Sequence, residues 1–319
     1  MLLSAFLIII GFILLIKGAD FLVEGSSSIA KKLHIPEIII GLTIVSIGTS
    51  MPELFVSTTS SIGGYSDMSI GNIIGSNLCN LLLILGLSTI IKPVKFQRET
   101  RLIEIPMSLA ITIIFTIFCN TSREISKIEA LVLIILFVIF IIYTIFMGKK
   151  GEKFDKVDNI VEIQSEIKPI SMFKSIIFII LGTIGLKIGG DLTVDNALII
   201  ARQFNVSEKI ISLTILAIGT SLPELVTSVT AAIKGNSDIA IGNIIGSNIF
   251  NILLIIGVSA LISPLAYNFT YNIQMAILIV AMIVLALFPI IPPKNEMSRS
   301  NGLVYFIMYV IYMIILFIV

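Results

Sequence analysis

The chain has 319 residues, 56% of them hydrophobic and 13% charged, about half the usual charged share. Its mean hydropathy is +1.08. That composition excludes a soluble globule, a nucleic-acid binder and a disordered chain as readings, and a net charge of +1 offers nothing to a polyanion. Ala130–Met147 and Leu303–Val319 run 18 and 17 residues without a charge, close to the ~20 that cross a bilayer. The expected class is a polytopic membrane protein.

In chain order, ten apolar stretches are expected to span the membrane, at about 2–30, 36–61, 68–90, 101–119, 127–147, 172–201, 208–233, 239–262, 271–291 and 302–319. The first lacks a basic leader and a small-residue cleavage site, so it reads as a span and not as a signal peptide. His34 falls in the first loop, where an exposed residue is expected rather than a ligand. Cys79 and Cys119 sit among apolar residues and read as small hydrophobes. The polar segment 148–171 mixes lysines with acids and reads as a cytoplasmic linker with little structure of its own. It divides the chain into 1–147 and 172–319, five spans each. With the N-terminus outside, the inner loops hold fifteen Lys and Arg residues and the outer loops four. That bias sets the orientation.

Sliding the chain against itself by 171 residues matches Pro36–Pro93 with Ser207–Pro264 at 35 of 58 positions. Glu53 pairs with Glu224, Asp67 with Asp238, and Ser76 with Ser247. Five spans is an odd number, so the second half must enter the membrane with the opposite polarity. The expected fold is an all-α membrane protein, ten transmembrane helices as two inverted-topology five-helix repeats. Transporters built this way bind their substrate at the repeat interface.

The longest matched blocks are Leu42–Ser57 with Leu213–Ser228 and Ile70–Asn80 with Ile241–Asn251. Glu53 and Glu224 lie about midway through their spans, where a carboxylate costs at least ~2.5 kcal/mol and marks a functional site by default. Two of them related by symmetry repel, so a bound cation or a proton must settle them. Pro52 cannot donate to the carbonyl of Gly48, nor Pro223 to that of Gly219, so each span is expected to break there. Carbonyls would be freed around Ser46–Gly48 and Ala217–Gly219, tolerable at that depth only beside protein or a polar cavity. Thr49 and Glu53 are four apart and share a helix face, as do Thr220 and Glu224; Ser76 with Asn80 and Ser247 with Asn251 repeat the spacing. Carboxylates, hydroxyls, amides and carbonyls without a His or Cys cluster suit Ca²⁺ and Na⁺ and disfavour zinc or copper.

With these blocks in view, GTSMPE and GTSLPE followed by GNIIGSNLCN and GNIIGSNIFN resemble the two alpha-repeats of the calcium/cation antiporter superfamily, in its sodium/calcium exchanger branch. The resemblance implies ten spans and exchange of Ca²⁺ against Na⁺, usually three Na⁺ per Ca²⁺, by alternating access across the cytoplasmic membrane. It implies Glu53 and Glu224 as principal Ca²⁺ ligands, helped by Thr49 and Thr220. It implies Na⁺ sites at Ser50, Ser76, Ser221 and Ser247, with backbone oxygens of Ser46 and Ala217, and a site-lining amide at Asn80. Prokaryotic relatives often carry Asp where this chain has Asn251, and animal exchangers tend to carry Asn. The proton/calcium branch typically has Asn where Thr49–Ser50 and Thr220–Ser221 stand here, which favours Na⁺ as the coupling ion over H⁺. Ca²⁺ and Na⁺ are then transported partners in a lipid bilayer; no cofactor, nucleic acid or protein partner is implied.

Milder readings cover the other polar residues. Gly71, Gly75, Gly242 and Gly246 form GxxxG patterns of close helix packing. Asn72, Asn77, Asn243 and Asn248 read as hydrogen-bonders between helices. Asp67 and Asp238 read as helix N-caps, and Lys17 and Lys187 as local ion pairs with Asp20 and Asp191. An intramembrane enzyme would want an activated nucleophile or a catalytic metal, and no His–Ser, paired-Asp or HExxH arrangement occurs in the spans. Proton-coupled calcium antiport on the same scaffold is the alternative to sodium coupling.

Overall fold

The computed structural model describes residues 2–121, 123–154, 170–204, 217–290 and 295–318. These residues are helical almost throughout. In chain order, α1 is Leu2–Leu33, α2 is Glu37–Thr49, α3 is Met51–Ile62, α4 is Ser66–Ile91 and α5 is Thr100–Thr121. α6 is Lys127–Phe154 and α7 is Met172–Gln203. α8 is Ala217–Thr220, α9 is Leu222–Ile233, α10 is Ser237–Ile262, α11 is Phe269–Leu287 and α12 is Arg299–Ile318. Among the described residues eight helices are long and apolar enough to cross a membrane, and α2 with α3 makes a ninth if counted as one bent span. The expected seventh span, 208–233, is described only from Ala217 onward; its first part lies outside the described residues. α6 runs past the expected end at Met147 to Phe154.

Helix ends follow local chemistry. Ser126 and Glu129 close a capping box at the start of α6, with the Ser126 backbone N–H donating to Glu129 Oε2 and the Glu129 N–H to Ser126 Oγ, which satisfies two free donors of the first turn. Gly64 and Gly235, 171 apart, take φ of +77° and +84° just after α3 and α9, a left-handed conformation that glycine adopts without a Cβ clash. Asp67 and Asp238 are not N-caps. Tyr65 and Asn236 hold the cap positions, and each Asp lies inside the first turn, where its charge suits the helix dipole. Asp238 instead accepts from Gln97 Nε2 at 2.5 Å.

The burial pattern sorts the helices. In α4 and α10, 83% of the spanning window is buried, against 22% in α6, α7 and α12. The two repeat-related central helices are thus the core, and the others present apolar side chains outward. α1 and α7 pack against each other antiparallel. Gly11 meets Gly189 and Thr193, Gly18 meets Gly182 and Gly185, and Gly25 meets Ser175. A Cβ on Gly182 would stand 2.7 Å from the Gly18 carbonyl oxygen, so these backbones touch because no side chain intervenes. The GxxxG pattern of α10 works the same way, Gly242 against Gly41 and Gly246 against Leu42 and Ser46.

Two short antiparallel strand pairs lace the loops. β1 (Val94–Lys95) pairs with β4 (Glu296–Met297), and β2 (Glu124–Ile125) with β3 (Leu265–Ala266). Of the two expected lysine pairs, Lys187 meets Asp191 at 2.7 Å. Asp20 takes Lys234 of α9 at 2.8 Å instead, because that ammonium reaches it from the neighbouring helix. His34 is exposed in the first turn region, and Cys79 and Cys119 are buried free thiols, as expected.

Candidate ion-binding site

The site is built on two matched breaks. α2 ends at Thr49 and α3 begins at Met51 with Pro52 in its first turn, and their axes differ by 50°. Ser50 at the hinge has φ −82° and ψ 9°, and its counterpart Ser221, between α8 and α9, has φ −88° and ψ 8°. Proline removes one hydrogen bond and clashes with the preceding turn, so the break falls where the sequence predicts it. Each break delivers a Glu to the first turn of the next helix, Glu53 on α3 and Glu224 on α9.

Hydrogen bonds around the two carboxyls come in exchanged pairs. Ser50 donates to Glu224 Oε1 at 2.9 Å, and Ser221 donates to Glu53 Oε1 at 3.3 Å. Thr49 donates to Asn243 Oδ1 at 3.0 Å, and Thr220 to Asn72 Oδ1 at 3.4 Å. Asn72 and Asn243 in turn donate to Ser57 and Ser228 of the span carrying the Glu of their own half, at 3.0 and 2.9 Å. Ser76 adds a bond to Glu53 Oε1 at 3.3 Å, and Ser50 also reaches Ser247 at 3.0 Å. A contact between i and j+171 answered by one between i+171 and j is what a twofold relation between the halves produces.

Both glutamates are fully buried and lie within electrostatic reach of each other. Among the described residues neither has a basic partner, and Glu53 Oε2 and Glu224 Oε2 have no hydrogen-bond partner. Asn80 Oδ1 and Asn251 Oδ1 are likewise buried and unpartnered. Four acceptor oxygens, paired by the repeat, are therefore open to a cation or a hydrogen-bond donor. Burying such groups uncompensated is costly, and a hard cation seeks an all-oxygen set of this kind. Among the described residues no group of three or more His, Cys, Asp or Glu side chains gathers anywhere.

Hydrogen bonds gather the expected residues into buried groups: Ser50, Glu224 and Ser247; Glu53, Ser76 and Ser221; Thr49 with Asn243 and Thr220 with Asn72; and Asn80 and Asn251 with Asn248 and Asn77. Ser46 precedes the hinge, but its carbonyl already accepts the Ser50 N–H at 3.0 Å. Ala217 opens α8, at the matching position. Two features escaped the sequence reading. Asn80 and Asn251 each sit at the start of a π-helical stretch, Cys79–Ile84 and Asn251–Ile256, a widening of the helix common at functional sites. Ser57 and Ser228 anchor the bridging asparagines; their place at the end of the longest matched block was the available signal.

Comparison with known proteins points one way. A family model described as "Sodium/calcium exchanger protein" matches residues 3–146 and 174–318. The putative antiporter CaxA of Alkalimonas amylolytica is 37% identical over 265 residues, 83% of this chain and 82% of its own. The sodium/calcium exchanger MaX1 of Methanosarcina acetivorans is 32% identical over 98% of this chain and 97% of its own. A solved structure of the sodium-calcium exchanger NCX_Mj, soaked with Na⁺ and Ca²⁺, superposes with a TM-score of 0.83 at 34% identity, covering 97% of each chain.

Proposed function

The chain belongs to the sodium/calcium exchanger family, a family of multi-pass membrane transporters and not of enzymes, and on that premise we propose that it is a Na⁺/Ca²⁺ antiporter of the cytoplasmic membrane. Ca²⁺ is held between Glu53 and Glu224, with Thr49, Thr220, Asn80 and Asn251 completing the oxygen set. Na⁺ ions take the flanking positions at Ser50, Ser76, Ser221 and Ser247, near the backbone of Ser46 and Ala217. The observation that carries this reading is the set of four buried, unpartnered oxygens on Glu53, Glu224, Asn80 and Asn251. Two ionised carboxylates match one Ca²⁺, and hydroxyls with amide oxygens supply the 6–8 contacts that the ion seeks.

The architecture we propose is ten spans in two inverted halves, 1–147 and 172–319, joined by a cytoplasmic linker at 148–171. The antiparallel packing of α1 on α7 supports it, as does the exchange of hydrogen bonds across the site. The strand pairs support it too, since β1–β4 joins two loops of the expected inner face and β2–β3 two of the outer. Alternating access follows if α1 and α7 slide as one unit over the remaining helices, which hold the ligands. In that cycle three Na⁺ replace one Ca²⁺. The Thr–Ser pairs before each Glu provide neutral hydroxyls that suit Na⁺.

The deciding measurement is Ca²⁺ flux into vesicles of purified protein under an imposed Na⁺ gradient, with and without a pH gradient. Uptake that follows the Na⁺ gradient and ignores the pH gradient is expected. Uptake that follows the pH gradient alone makes the protein a proton-coupled antiporter and overturns sodium coupling.

A further inference from the structure

An asparagine ligand has an ambiguity that a carboxylate lacks. Turned half a revolution about its last torsion, it presents an N–H donor where the oxygen stood, and a donor repels a cation. Something must therefore hold the amides of Asn80 and Asn251 with their oxygens toward the ions. The structure contains such a device, and it crosses between the halves. Asn80 Nδ2 donates to Asn248 Oδ1 at 3.1 Å, and Asn251 Nδ2 donates to Asn77 Oδ1 at 2.9 Å. The holders are themselves held. Asn77 Nδ2 donates to the Asn248 carbonyl and Asn248 Nδ2 to the Asn77 carbonyl, both at 3.4 Å. Each holder can thus offer only its oxygen to the site asparagine. Both holders are buried, and the oxygens of Asn80 and Asn251 are the ones left without partners.

We propose that Asn77 and Asn248 are positioning residues for ion exchange, each gripping the amide nitrogen of the other half's site asparagine so that its oxygen faces the ions. Neither touches an ion. The proposal rests on the ion site at Glu53 and Glu224, and it assigns a role that interhelical packing alone does not require. Because each grip joins one half to the other, the two ligand amides are set jointly rather than by their own helices.

The test is a double-mutant cycle read by equilibrium binding of radioactive Ca²⁺ to the purified full-length protein, with Na⁺ competition measured alongside. Asn77→Leu should weaken Ca²⁺ binding ~10–100-fold, the usual effect of removing a group that orients a metal ligand. In an Asn251→Asp background the same change should lose most of that effect, because a carboxylate has no wrong end to present. There Asn77 Oδ1 would face another acceptor, so its removal relieves a repulsion. The mirror cycle, Asn248→Leu with and without Asn80→Asp, asks the same question with an independent pair and serves if the first variant does not fold. An equal loss from the Leu substitution in both backgrounds, in either cycle, means a merely structural role and overturns the proposal. Glu53→Gln in the same assay separates the two levels. If that variant binds Ca²⁺ like the wild type, the ion site itself is wrong; if it does not bind while the cycles are additive, only the positioning role fails.

Discussion

Lys234 at the end of α9 grips Asp20 on α1, Nζ to Oδ1 at 2.8 Å, and the repeat provides no answering bond. The first-half counterpart of Lys234 is Gly63, and the counterpart of Asp20, Asp191, is paired within its own helix to Lys187. This ion pair thus ties α1 to the end of α9 on the expected cytoplasmic side. If α1 slides during transport, this bond favours the arrangement of α1 beside α9 in which the two residues meet.

Lys234→Ala is therefore expected to shift the protein away from that arrangement of α1. Both side chains are about a third exposed, so the pair is worth ~0–1 kcal/mol, at most about a fivefold change in the ratio of states. A cysteine at buried Val23, on the same part of α1, should react faster with a cytoplasmic thiol reagent in the variant; Cys79 and Cys119 are buried and add little background. An unchanged labelling rate would mean that the pair has no part in the transition.

Glu53→Gln or Glu224→Gln should reduce Ca²⁺ transport to the level of empty vesicles while leaving the protein inserted and monodisperse. In the proposed site each supplies half of the negative charge that replaces water around the divalent ion, and a neutral amide cannot. Ser60→Ala, about two turns along α3 from Glu53, should transport normally. Exchange at wild-type rates in either Gln variant at low Ca²⁺ would remove the residue from the site.

Much of this was legible because duplication prints the same signal twice. The Gly-Thr-Ser-x-Pro-Glu break is a local rule of proline geometry, so its place could be read from Pro52 and Pro223 alone. The contacts across the site could not. Nothing in the spacing of Asn72 or Asn77 says whether it bonds its own half or the other, since that depends on how α4 and α10 cross. Asp67 and Asp238 misled for a related reason. Acids near a helix start serve as caps or as first-turn charges, and the position differs by only two residues. The partner of Asp20 was missed because local spacing ranks Lys17 ahead of Lys234, although helix packing brings the distant residue closer.

The glycine contact between α1 and α7 makes a steric prediction. A Cβ at Gly18 would stand 2.8 Å from the Leu186 nitrogen and 2.9 Å from the Gly182 oxygen, both backbone atoms that cannot rotate away. Gly18→Ala should then push the pair apart and destabilise the protein by about 1–3 kcal/mol, lowering the thermal midpoint in detergent. If the two helices move as one unit, exchange should slow even below that midpoint. A variant with unchanged stability and unchanged rate would show that the helices separate freely.

Charge counting gives the last prediction. With Asn at both 80 and 251, the site's formal charge comes from Glu53 and Glu224 alone. In the proposed 3:1 cycle, with both ionised, Ca²⁺ leaves the occupied site neutral and three Na⁺ leave it at one positive charge. One charge crossing the full membrane potential is worth ~2.3 kcal/mol per 100 mV, so the voltage sensitivity should sit in the Na⁺-loaded half of the cycle. Ca²⁺–Ca²⁺ self-exchange should ignore an imposed potential, and Na⁺–Na⁺ self-exchange should respond to it. Asn251→Asp, studied at alkaline pH where the new carboxyl is ionised, adds one negative charge to both states. The Na⁺-loaded site becomes neutral and the Ca²⁺-loaded site negative, so the sensitivity should move to Ca²⁺ self-exchange while the charge moved per full cycle stays the same. Lowering the pH should restore the wild-type pattern as that carboxyl takes up a proton. Voltage-sensitive Ca²⁺ self-exchange in the wild type, or a variant with the same pattern at every pH, would contradict the assignment of two charges to the site and of Asn251 to its lining.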